Sequence, residues 1–94
     1  MSAFPQYMDD PSGPAHIRHL LRCEAAYHLR QFAHEYPPHL GMHIMYLARE
    51  VGRGYVYAPQ ALEVLGRLCD MNTGEDPNLE AAVYALKALQ AAQG

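Results

Sequence analysis

The sequence predicts an all-α fold, a compact antiparallel bundle of four helices, and three observations carry that expectation. Prolines stand where helices would begin, at Pro14, Pro38, Pro59 and Pro77; a proline in the first helical turn gives up an N–H that would have no helical partner anyway. Between the prolines, apolar residues recur at spacings of three and four, one face of a helix. Almost no alternating or β-branched run suggests a strand. Short connections between helices of about 14 to 22 residues place consecutive helices side by side and antiparallel.

Residues 1–13 read as an irregular arm, because FPQYMDDPSGP has turn chemistry and no period. Residues 14–94 then form a single helical domain. Helix 1 is expected over about 14–36, capped by Ser12 or Gly13, and ends before Pro37-Pro38, since the residue before a proline is pushed out of the α region. Its apolar side is Ile17, Leu21, Ala25, Leu29, Phe32 and Tyr36. Helix 2 (about 38–52) carries Leu40, Ile44, Leu47 and Val51 at spacings of 4, 3 and 4, and Gly52 and Gly54 stop it. Helix 3 (about 59–71) buries Ala61, Leu62, Leu65, Leu68 and Cys69. Asn72-Thr73-Gly74 forms a turn. Asp76 caps helix 4 (about 77–92), with Pro77 in the first turn and Leu79, Ala82, Val83, Leu86 and Leu89 as its core stripe.

Composition narrows the function classes. Ninety-four residues suffice for one real core. A formal charge of −3 argues against a general nucleic-acid binder, which needs a basic face. No apolar run approaches the roughly 20 residues that span a bilayer, and the N-terminus has no basic-then-apolar leader pattern, so a cytoplasmic protein with no membrane partner is expected. Cys23 and Cys69 form no CxxC and are expected to be reduced. No catalytic or cofactor motif is present, so neither an enzyme nor a cofactor is expected.

All six histidines lie between His16 and His43, and histidine is both the titrating group near neutral pH and a common metal ligand. Protonating all six would invert the sign of the net charge. One edge of helix 1 holds Glu24, His28, Gln31 and Glu35, while a row on helix 2 holds His39, His43, Tyr46 and Glu50. If the two rows face each other, an antiparallel hairpin pairs Glu35 with His39, Gln31 with His43, and His28 with Tyr46. That geometry separates His19 and Cys23 from His39 and His43, so those four cannot share a metal. A site from His39, His43, Glu35 and His28 is geometrically open, but a hydrogen-bonded seam is the favoured expectation. His16, His19 and His34 are expected on the surface.

Helix 4 has too little polar surface. Opposite its core stripe lie Ala81, Tyr84, Ala85, Ala88 and Ala92. A helix apolar nearly all round is buried on more than one side, and an alanine row with one tyrosine suits a close helix contact. The expected partner-binding residues are therefore Ala81, Tyr84, Ala85 and Ala88, with Tyr55 and Tyr57 as a second patch. Three functional classes follow, in order of preference. The first is a protein interaction module that binds another protein or itself, a homodimer through helix 4 being the expectation. The second is a metal- or pH-responsive bundle using His28, His39, His43 and Glu35.

The third is a DNA-binding regulator. LAREVG, Leu47 to Gly52, followed by PQALEVLGRL, resembles the Ala-x3-Gly core of a helix-turn-helix with a second helix behind it. The resemblance spans about 25 residues and implies a recognition helix at 59–71. The intervening turn exceeds the usual length, and Arg67 is the only cation on that helix, beside Glu63 and Asp70. Nucleic acid therefore ranks last.

Overall fold

The computed structural model describes residues 13–35, 38–69 and 76–93, and the arm before Gly13, the residues around Tyr36-Pro37, and the expected turn at Asn72-Thr73-Gly74 lie outside them. The described residues form four helices and no strand: α1 (Pro14–Ala33), α2 (Pro38–Gly52), α3 (Ala58–Leu68) and α4 (Pro77–Gln93). Each begins at or beside the expected proline. Gly13 is the N-cap of α1, in an extended conformation. Asp76 caps α4 with its side chain: Oδ1 accepts from the Asn78 N–H at 2.9 Å and the Leu79 N–H at 3.1 Å. Those are two of the donors that a helix start leaves without a backbone partner.

The ends differ more from expectation. Helix α1 stops at Ala33 rather than near Tyr36, closing with a tight turn in which the Glu35 N–H reaches the Phe32 carbonyl at 3.0 Å. Helix α3 stops at Leu68 rather than at 71, where Cys69 turns extended and its thiol donates to the Leu65 carbonyl at 3.3 Å. Helix α2 ends at Gly52 as expected, and Gly54 closes it. Gly54 sits at φ +79, and the N–H groups of Gly54 and Tyr55 reach back to the carbonyls of Val51 and Glu50, both at 3.0 Å. This is the Schellman closure, which calls for a left-handed residue that glycine adopts without a Cβ clash.

Around the bundle the order is α2, α1, α4, α3, so α1 packs on α2 and α4, and α3 closes the ring from the other side. Leu29 and Phe32 of α1, Ile44, Leu47 and Val51 of α2, Ala61 and Leu65 of α3, and Leu79, Leu86 and Leu89 of α4 form one buried cluster. Among the described residues no polar or charged side chain is buried. No helix among them is long and apolar enough to cross a membrane.

Candidate functional site

The two edges of α1 meet different helices, and this decides where every candidate residue ends up. The edge carrying Ala26 and Ala33, both buried, faces α2. There the backbones come close: a Cβ placed on Gly52 would lie 3.2 Å from the Ala26 Cβ. Gly41 and Ala48, buried and on the same side of α2 as Gly52, complete a row of small residues that lets the two helices approach. The opposite edge of α1, with Leu21, Glu24 and His28, faces α4.

The expected seam between helices 1 and 2 is therefore not formed. His28 pairs across to α4, with its Nδ1 3.2 Å from Asn78 Oδ1, while its Nε2 lies 3.5 Å from Glu24 Oε1 one turn back. A neutral imidazole has one N–H and serves one of these acceptors; a protonated one serves both. Glu35 sits beside Asp76 and Asn78 at the same end of the bundle. The hydrogen bond shared with Asp76 raises the Glu35 pKa first, helped by desolvation and the like charge. Asp76 moves the other way. Desolvation pushes up on it, but the bonds it accepts from Glu35 and from the Leu79 and Asn78 amides outweigh that and lower its pKa. The pair titrates as a unit in which Glu35 holds the proton longer.

The row His39, His43, Tyr46 and Glu50 lies on the side of α2 turned away from α1. His39, His43 and Tyr46 are exposed, and Glu50 is half-buried. The four candidate ligands are split accordingly, His28 and Glu35 at the α1–α4 contact and His39 and His43 on the far side of α2. Among the described residues no group of three or more His, Cys, Asp or Glu side chains could hold a metal ion. His19 and Cys23 do meet, with Nε2 and Sγ 3.6 Å apart on the exposed outer side of α1.

The expected partner-binding residues divide in an informative way. Ala85 is buried and belongs to the core, Ala81 and Ala88 are half-buried, and Tyr84 stands out, 77% exposed. Tyr55 and Tyr57 are 71% and 68% exposed in the connection between α2 and α3. Beside Tyr84 a groove of about 510 Å³ opens between α1 and α4, lined by Leu21 and Glu24 on one wall and by Pro77, Glu80, Ala81, Tyr84 and Ala85 on the other. Ile17 and Leu20, nearer the N-terminus of α1, are exposed as well. The α1 half of this surface was not anticipated. Its signal was present in Ile17 and Leu20, two large apolar residues on the edge of the stripe that the core does not take up.

No protein-family model, curated protein or solved structure matches the chain.

Proposed function

We propose that this chain is a small helical interaction module that works by binding, and that its first partner is a second copy of itself. The observation that supports this is the open groove lined by Leu21, Ala81, Tyr84 and Ala85, with Ile17 and Leu20 exposed toward the start of α1. An exposed apolar groove with a polar rim is the usual mark of a contact surface. A protruding tyrosine beside a groove is self-complementary. In a two-fold pair, each Tyr84 enters the other copy's groove, and one patch serves both sides.

The rim sets the salt dependence. Glu24 and Glu80 are the charged residues lining the groove, and a two-fold pairing brings like charges together. Screening them strengthens association, so the dimer tightens as salt rises. A heterologous partner with a basic rim would weaken instead. Sedimentation velocity on the full chain up to about 0.5 mM, a range that detects weak pairs, is the test. A concentration-dependent dimer is expected, with Tyr84→Glu monomeric and equally heat-stable because the ring is exposed. A chain monomeric throughout, indistinguishable from the variant, would overturn the reading.

A second reading has an observation of its own. The Glu35–Asp76 pair, with His28, Glu24 and Asn78 close by, joins α1 to the start of α4, so the attachment of α4 responds to pH. This restates the pH-responsive class on different residues, without His39 and His43.

A further inference from the structure

The opposite groove of α1, toward α2, has the reverse chemistry. Ala26 and Gly52 form its floor where the two helices nearly touch, and Arg30, Arg49 and Arg53 line it with Cys23, enclosing about 320 Å³. Three arginines thus line one small groove with no carboxylate in its lining. None of the three has an ion-pair partner among the described residues, whereas Arg67 on α3 holds Glu63 at 2.7 Å. The contrast is written in the sequence. Arg67 has a glutamate four residues back; Arg30 and Arg49 have no acidic residue three or four positions away on either side, and Arg53, with Glu50 three residues back, does not pair with it. The molecule is nonetheless acidic, with net charge −3, and three of its seven Lys and Arg residues line this one groove.

We propose that the α1–α2 groove is a binding site for a phosphate monoester dianion. Arginine presents a rigid fork of donors that matches phosphate oxygens two at a time. A dianion with three acceptor oxygens satisfies three such forks, whereas a single carboxylate uses one. The C-terminal end of α2 opposes an anion with about half a unit of negative charge, too little to cancel three cations. Gly52 and Ala26 leave room for the phosphoryl group between the side chains. The groove is short, Arg22 lies beside Gly54 at its α2 end, and Glu24 and Glu80 line the next groove round α1. A small phosphorylated molecule and a phosphorylated side chain present the same chemistry.

The test is an amide-resolved NMR titration of the full chain with sodium phosphate, at constant ionic strength held with chloride, repeated with a phosphoserine peptide and its unphosphorylated form. Saturating shifts centred on Ala26, Arg49, Gly52 and Arg53 are expected. The Arg49→Gln/Arg53→Gln double variant is expected to weaken binding at least about tenfold with an unchanged melting temperature, since both side chains are exposed. Occupancy should also slow alkylation of Cys23 by iodoacetamide, with half-buried Cys69 as the internal control. Tighter binding of the phosphopeptide identifies a modified protein as the source; tighter binding of inorganic phosphate identifies a small ligand. Shifts that never saturate or spread evenly to Arg18, Arg67 and Lys87, a double variant that binds as the parent does, or equal binding of the unphosphorylated peptide would each overturn the proposal. The groove lies across α1 from Tyr84, so its failure and the failure of self-association are read separately.

Discussion

Helix α1 packs on both α2 and α4, with a row of small residues toward α2 and polar contacts at one end of α4, and the two contacts differ in what they leave at the surface. Against α2, Ala26, Ala33, Gly41, Ala48 and Gly52 bring backbones together, and the long side chains at the edge are arginines. Against α4, the His28–Asn78 bond and the Glu35–Asp76 pair hold one end, while the middle opens into an apolar groove rimmed by Glu24 and Glu80. Both contacts are extensive, but only the side toward α4 leaves an open apolar groove. One helix thereby separates a cationic groove from an acidic, apolar one.

The largest expected effect removes both contacts together. Leu29 is fully buried in the cluster that joins them, and Leu29→Ala should lower stability by about 3 kcal/mol in urea melts. Next comes a substitution that separates them. Gly52→Leu pushes a side chain against Ala26 and should cost about 1–2 kcal/mol, overpacking offset in part by better helix propensity. Ala81→Leu, the parallel enlargement at the half-buried wall of the α1–α4 groove, should change stability by less than about 0.5 kcal/mol. Equal costs would mean that α2 and α4 approach α1 alike. Asp76→Ala removes the α4 cap and should cost about 1 kcal/mol, and Asn78→Ala, which frees His28, somewhat less.

The smallest effects are in pH and salt. Glu35 has a raised pKa, so its contribution is fully present below pH 4.5 and is lost as pH rises through its folded value. Asp76 has a lowered pKa, so its contribution is present above pH 3.8 and is lost as pH falls through its folded value. Acidifying from neutral pH should therefore first strengthen the α1–α4 contact and then weaken it. Glu35→Gln should abolish the first limb and keep the second; a profile still rising toward pH 4.5 in that variant would refute the assignment. Raising salt should tighten self-association at the acidic groove and loosen phosphate at the cationic one, opposite signs from the two sides of α1.

Much of this bundle was legible from punctuation. Pro14, Pro38, Pro59 and Asp76-Pro77 start helices where expected, and the stripes of α2 and α4 are buried apart from half-buried Leu40 and Val83. What the residues did not reveal was the side on which α2 lies against α1. A hairpin can turn either way, and helical phase groups Glu24, His28 and Glu35 on one edge without saying which neighbour takes it. The deciding signal was the least conspicuous one, the small residues at Gly41, Ala48 and Gly52 opposite Ala26. Histidines drew attention to the polar row instead, and that row faces away from α1. Tyr84 could be read as surface from its phase, but half of its groove comes from α1, a residue span that helix 4 alone cannot report.

The order of the ring also has a consequence for how the chain is made. His28 and Asn78 are separated by 50 positions, whereas α1 and α2 are joined by a short turn. Contacts between distant parts of a chain form late, because the intervening loop must close first. During synthesis α1 and α2 emerge early, and α1 then waits with the face that α4 will cover still open to the cell. The groove beside Tyr84 is what remains of that face once the last helix arrives.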